Sequence, residues 1–591
     1  MANDHHPSGL WPRLIGLVFV ITTSLLSLAI ILFGDRLLNL SPFFKNPVIS
    51  LYIRQFLRAV SALPLFFLWL EFSKTTGMIR VLKNIKEWWF NKPLPVFLSL
   101  AFFASVTLIV ALFAYHKIPK GDAVWPYFQT KIFAQGKLFA PAPFDFRFFF
   151  TPTIVHNGKW FSYTSPGHSI LLLPFYLLGI TYLTGPVLGT IALFLLYLFA
   201  EKYTDPRIAR LSLLLAATSP FMLLLFGSQE FHISSTFFTL LALFSLLKAT
   251  KRTTDEKNSF TRKIWALVSG LSLGMVFLTR PWTAIGIGIP LIIIALFKIR
   301  NSLLPFLLGG LLMVLLHLLY NRALTGSFLT FPYQLFGRYH QLGFGAGIGA
   351  PTFNLPGHSP LKLVINLLYN LFVLNLHLFG WAFLSLTFLI LGLGTRGYYR
   401  HLLLWLPAAG LFIAYSLYWF HGITPWGPKY YSEALPFFII TGAIGISQTG
   451  KGRTNPWLGN DFTLRAIPFL ILYSLLIYIP TTFTYLSSGR WGETPKIAYS
   501  VQRAKIHNAV VFIHTDETTG SFDYTSAFIF NDPFLKGDVI FPRDLGTGEN
   551  QRFLRMFPDR SAYIYDFKTE TLIPLDSFKP RQNISPALTI Y

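Results

Sequence analysis

The chain has 591 residues, of which 53% are hydrophobic and only 13% charged; it carries 61 phenylalanines and has a mean hydropathy of +0.51. Soluble domains hold roughly 25% charged residues, so a soluble multidomain protein is excluded and a chain solvated by lipid is expected. The 49 Lys and Arg against 25 Asp and Glu leave a net charge of +24, which in a membrane protein marks cytoplasmic loops rather than a nucleic-acid partner.

Each crossing of a bilayer core takes roughly 20 apolar residues. In chain order, apolar runs at 13–34, 49–71, 94–115, 184–200, 209–226, 232–248, 264–280, 281–298, 303–320, 377–394, 402–419, 434–447 and 464–485 predict about thirteen spans. The first run lacks a small-residue cleavage site and is followed by many others, so it reads as a retained helix and not a signal peptide. Cysteine is absent, which excludes a disulfide framework, a thiolate zinc site and a Cys nucleophile.

Basic clusters set the orientation. They are Lys74, Arg80, Lys83, Lys86 and Lys92; Lys251, Arg252, Lys257, Arg262 and Lys263; Arg396 and Arg400; and Lys451 and Arg453. Alternating spans puts all four on one side, the cytoplasm, together with the N-terminus. Outside then lie loops 116–183 and 321–376, short turns near 228–231 and 420–433, and the tail. Three regions are expected: 1–93, with two leading spans and a basic loop; 94–485, the main membrane module; and 486–591, a small extracytoplasmic α/β domain. In that tail Asn508 to Ile513 and Ala562 to Phe567 read as strands, with turns at Asn531-Asp532-Pro533 and Lys536-Gly537-Asp538.

The polar residues on the outer side are the candidates for chemistry. Lys120-Gly121-Asp122 follows the third run; Asp122 suits a helix N-cap and equally a general base at the membrane surface. The same loop closes with Tyr163-Thr164-Ser165-Pro166-Gly167-His168, and Pro-Gly-His-Ser recurs at Pro356 to Ser359. Glu230 and His232 sit at the next turn, where ionisable groups beside a span tend to be functional; two ligands do not make a metal site. Arg280 precedes Pro281 at a helix junction and can reach lipid phosphate. Lys429, Tyr430 and Glu433 belong to the stretch from Trp426 to Pro436, in which Lys429 can meet a phosphate as a point charge.

These pieces, in this order, resemble the GT-C membrane glycosyltransferases that use polyprenyl-phosphate sugars. Among those, the chain is similar to protein O-mannosyltransferases, lipid A aminoarabinose transferases and rhizobial galacturonosyltransferases. The resemblance covers roughly 94–485. It rests on Gly121-Asp122, Tyr163 to His168, Leu278 to Pro281, Tyr320-Asn321 with Thr325 to Ser327, and Gly427 to Pro436. It implies an all-α polytopic GT-C-like fold carrying the small C-terminal α/β domain. It also implies an inverting transferase at the outer face of a bacterial cytoplasmic membrane, with a polyprenyl-phosphate sugar as donor and a lipid, glycan or protein as acceptor. Asp122 matches the family's acidic residue, the expected catalytic base. Lys429, Arg280, Glu230, His232, His168, Tyr430 and Glu433 are the expected phosphate or substrate contacts. Lys429 stands where the family pattern has Arg, which keeps the charge but loses bidentate phosphate recognition. No cofactor is required by this chemistry; a divalent cation is compatible with it but not indicated. The alternatives are a transporter or lipid flippase, or a membrane scaffold whose tail binds a partner.

Overall fold

The computed structural model describes residues 47–250, 256–337, 341–349, 356–381, 384–449, 460–489, 493–515 and 521–577. The run at 13–34 and the basic residues Lys251, Arg252, Lys451 and Arg453 lie outside them. Among the described residues nine helices are long and apolar enough to cross a membrane, or ten when one bent pair counts as a span. The runs expected at 94–115, 184–200, 232–248, 264–280, 281–298 and 303–320 appear as Leu94–Ala114, Thr181–Tyr203, Phe231–Ala249, Ser259–Thr279, Pro281–Lys298 and Arg300–Thr325.

Four departures have local causes. The run at 209–226 is two helices, Pro206–Ala217 and Pro220–Phe226, bent by 59°. Pro220 starts the second, capped by Ser219, which accepts a hydrogen bond from the Met222 N–H at 3.3 Å. The loop expected at 321–376 contains a helix, Pro360–His377, whose apolar run is interrupted by Lys362, Asn366 and Asn370 at four-residue spacing. That polar stripe is used: Asn366 and Asn370 donate to the carbonyls of Trp419 and His421, each at 2.9 Å. The run at 377–394 begins on the last residue of Pro360–His377, and beyond it only Ser385–Leu393 is helical among the described residues. The runs at 402–419 and 434–447 become helices of 15 residues each, Leu402–Ser416 and Leu435–Thr449.

Bundle helices meet at small residues. A Cβ on Gly309 would lie 2.7 Å from the Leu267 carbonyl oxygen, and one on Gly270 would collide with the Phe306 carbonyl. In lipid, where apolar side chains gain nothing by leaving solvent, such backbone approach is what holds helices together.

The first loop and the tail form a cap at the bundle's end. The loop supplies the helix Val124–Ala134 and an antiparallel sheet in the order Ala140–Pro141, Lys159–Ser162, Thr153–His156. The tail supplies a four-stranded sheet in the order Thr571–Pro574, Ser561–Asp566, Ala509–His514, Val539–Ile540. Its two central strands are parallel, with Ser561 opposite Ala509 and Asp566 opposite His514. These two fall within a residue of the strands expected from the sequence; the two edge strands were not expected. Loop and tail share one core: Phe128, Phe148, Phe149 and Trp160 pack with Phe512, Tyr524, Phe528 and Phe553.

Candidate active site

Asp122 sits in a single 3-10 turn, Gly121–Ala123, that runs straight into the helix Val124–Ala134. Gly121 is left-handed, with φ +59°, a conformation that a side chain would strain. Lys120 anchors the turn from behind. Its ammonium is buried and donates to the carbonyls of Ala114 (3.1 Å) and Leu486 (3.0 Å), the ends of two long helices. Burial pulls its pKa down to about 8, against the opposing pull of Glu493. The Asp122 side chain caps neither helical turn. It instead forms an ion pair with Lys429, so the N-cap role weighed from the sequence is not the one adopted.

Lys429 opens the 3-10 helix Lys429–Ala434, which follows a tight hairpin pairing Ile423–Thr424 with Gly427–Pro428. Its side chain is 9% exposed and that of Asp122 28%, so the carboxylate is the member of the pair that meets solvent. The ammonium faces the rings of Phe420 and Tyr430. Burial works against its charge, yet Asp122 and Glu230 outweigh it and hold the Lys429 pKa above its usual range.

Arg280 joins the helices Ser259–Thr279 and Pro281–Lys298 and forms a second buried ion pair, with Glu433. Its other nitrogen donates to the Tyr415 hydroxyl at 2.5 Å, and the rings of Phe231, Tyr415 and Tyr430 surround it at 5.6–6.0 Å. Glu433 also accepts from Ser432 Oγ at 3.1 Å. Tyr430 stands between the two pairs and stacks on Tyr415 at 4.6 Å. Both Glu433 oxygens therefore have protein partners, Arg280 on one and Ser432 on the other.

Behind Asp122 lie Glu230 and His232, both buried. Glu230 Oε2 is 3.6 Å from His232 Nδ1, too far for a hydrogen bond. That oxygen and both imidazole nitrogens find no partner among the described residues. Burial, and next the nearby Asp122, push the Glu230 carboxyl well above the usual range, with Lys429 and Arg280 pulling the other way. His168 has a different fate from the substrate contact expected of it. Its ring bonds Ser234 Oγ at 2.6 Å and the Gln229 carbonyl at 3.0 Å, so both nitrogens are spent on the scaffold. Beside it Gly167 packs against Leu278, where a Cβ would lie 2.8 Å from the carbonyl carbon. The Pro-Gly-His motif therefore locks the loop to the helices that carry Glu230 and Arg280. Its second copy acts at a helix start, where Ser359 caps Pro360–His377.

A cavity of about 350 Å³ opens between Pro360–His377, Leu402–Ser416 and the segment 418–431. Its walls include Leu363, Asn366, Phe412, Tyr415, Phe420 and Tyr430, so it is apolar and aromatic and ends against the rings that face Lys429 and Arg280. Among the described residues no group of three His, Asp or Glu side chains can hold a metal ion. Sequence reasoning missed two features of the site: Glu493, which binds the Asp122 turn from the tail, and the helix that walls the cavity.

A family profile described as dolichyl-phosphate-mannose-protein mannosyltransferase matches residues 180–320, a stretch that includes Glu230, His232 and Arg280. No curated protein matches the chain in sequence. Among solved structures, ArnT from Cupriavidus metallidurans bound to undecaprenyl phosphate superposes with a TM-score of 0.50 at 13% identity, covering 80% of this chain and 93% of that one. The same protein in the apo state gives 0.50 at 14%, with 80% and 92% covered. The fold is that of the GT-C glycosyltransferases, as the sequence motifs implied.

Proposed function

Proceeding from the GT-C fold, we propose that this chain is an inverting glycosyltransferase that moves a sugar from a polyprenyl-phosphate donor to a hydroxyl of a lipid, glycan or protein at the outer face of a bacterial cytoplasmic membrane. One observation carries the reading: a partly exposed carboxylate, Asp122, is paired with a buried cation, Lys429, whose neighbouring rings line an apolar cavity. A polyprenyl chain and its phosphate need that combination of apolar wall and buried positive charge.

Asp122 takes the proton of the acceptor hydroxyl, whose oxygen attacks the anomeric carbon from the face opposite the phosphate. The bond from that carbon to the phosphate oxygen breaks, and polyprenyl phosphate departs with the electron pair. Lys429 and Arg280 stabilise the charge that develops there, and no second carboxylic acid is needed to protonate so good a leaving group. Glu230 and His232 have unspent hydrogen-bonding capacity, which in this reading serves the donor head group. Glu433 and Tyr430 orient Arg280, and His168 fixes the loop.

Purified protein given a labelled polyprenyl-phosphate sugar tests this, with the acceptor identified by mass spectrometry of envelope glycolipids and glycoproteins from cells with and without the protein. Asp122→Asn is expected to keep donor binding and to lower turnover by about 10²–10⁴-fold. Near-normal transfer by a well-folded Asp122→Asn protein would remove it as the base. Lys429→Ala should weaken donor use and product inhibition by about 1.5–3 kcal/mol, with Lys429→Arg tolerated; equal activity in Lys429→Ala and wild type would take Lys429 out of the phosphate site.

A further inference from the structure

The tail reaches the proposed base through one side chain. Glu493 is fully buried, and its Oε2 accepts the Gly121 N–H at 2.7 Å, on the residue immediately before Asp122. Its Oε1 accepts from the Thr525 hydroxyl at 2.8 Å, and the next residue is tied down by the Thr494 N–H donating to Ser526 Oγ at 3.0 Å. The far end of the helix that Asp122 leads into is held by the same tail. Lys131, half-buried, donates to the carbonyls of Ile529 (2.6 Å) and Asn531 (2.9 Å), and Gln135 donates to Asp532 at 3.0 Å. The helix Val124–Ala134 is clamped at both ends by residues some 370–400 positions later in the chain.

We infer that Glu493 is a positioning residue for the transfer reaction: by gripping the Gly121 N–H it sets the direction in which the Asp122 carboxylate points. This rests on the reading of Asp122 as base. A left-handed glycine turn has few internal restraints, and nothing else among the described residues bonds the Gly121 amide. A buried carboxylate in contact with a backbone amide is an expensive way to stabilise a loop. Burial raises its pKa to about 7, against the pull of the Gly121 and Thr525 hydrogen bonds and of the Lys120 ammonium. Lys120 is the cation that faces it, and Glu230 is the acid whose charge it opposes. Misplacing a reacting group by about 1 Å costs on the order of 100-fold in rate, which makes the expense worthwhile beside a base.

The test uses the full-length protein in detergent or nanodiscs. Two readouts are taken on each variant: steady-state transfer, and hydrogen–deuterium exchange of the peptide spanning residues 118–124. Glu493→Ala is expected to lower kcat about 10- to 100-fold with donor KM within about 2-fold, and to speed exchange at Gly121. Glu493→Gln keeps an oxygen for Gly121 and an amide for Thr525, so it should recover a large part of kcat and the protection. Where Glu493→Ala fails to fold, Thr525→Val, which removes one of the two bonds that aim the carboxylate, carries the test in the same direction at smaller size. Unchanged kcat and unchanged exchange in Glu493→Ala would overturn the inference, as would a Glu493→Gln protein no better than Glu493→Ala. The two failures are separable. If Asp122→Asn transfers normally, the base is misassigned whatever exchange reports. If Asp122→Asn is inactive while Glu493→Ala is normal, only the positioning role falls.

Discussion

Helices of the bundle touch backbone to backbone, at Gly270 against Phe306 and at Gly309 against Leu267, and many of their large side chains, such as Leu304, Leu308 and Leu311, face outward. In the cap the reverse holds: Trp160 is fully buried, with the rings of Phe128, Phe149 and Phe528 at 4.8, 5.6 and 6.1 Å. Expulsion of water drives the second arrangement and contributes little to the first, where lipid is as apolar as leucine. The candidate site lies on the seam. Asp122 belongs to the cap, Arg280 to a helix junction, and Lys429 to a strap between them. Each half can then be weakened by a different solvent, and that difference can be tested.

The largest effect is expected from Trp160→Ala. It should destabilise the cap by about 3–5 kcal/mol, seen as protease sensitivity of the loop and tail at lower urea, with the bundle's detergent resistance intact. Simultaneous loss of both would show a single cooperative unit and dissolve the contrast. Next comes Gly270→Ala, which should cost about 1–3 kcal/mol by overpacking, in the opposite pattern: earlier unfolding in denaturing detergent, unchanged urea response of the cap. The seam should show itself with acid. His168 is buried and neutral, its pKa pushed down to about 4 by burial, while an unfolded histidine titrates near 6.5. The unfolded chain binds the extra proton below about 6.5, so stability is complete above that pH and declines as pH falls towards 4. The loss is on the order of 1–2 kcal/mol by pH 5, and it should vanish in His168→Gln. Thermal unfolding of wild type and variant at pH 7.5 and 5 checks it. The smallest change is Glu570→Ala. It removes an ion pair with Lys496 in which both side chains are more than half exposed, and should move cap stability by no more than about 0.5 kcal/mol. A larger shift would mean that the cap depends on surface charge as well as its aromatic core.

How much of this was legible in the sequence follows the same division. Apolar runs announce the bundle because lipid demands about 20 such residues at a time. They fail where a helix lines the site: Pro360–His377 reads as loop because Lys362, Asn366 and Asn370 break its run, and those residues are polar because they meet the strap and the cavity. Asp122, Arg280, Lys429 and Glu433 were visible as charges beside spans, and the structure brings them into two ion pairs around Tyr430. Their pairing was not visible, since Glu433 could equally have faced a substrate. Glu493 gave no signal at all. It follows the last span among ordinary tail residues, and its meaning lies in one hydrogen bond to a turn far earlier in the chain.

That separation also has a consequence for how the protein is made. Gly121 and Glu493 are 372 residues apart, and chains grow at about 5–20 residues per second, so the turn waits on the order of 20–75 s for its partner to be synthesised. Throughout that interval the aromatic face of the helix Val124–Ala134 has no tail to cover it. Assembly of the site therefore waits until the tail has been made. A chain interrupted before residue 493 lacks the Glu493 contact to the Gly121 N–H and the tail's share of the aromatic core around Val124–Ala134.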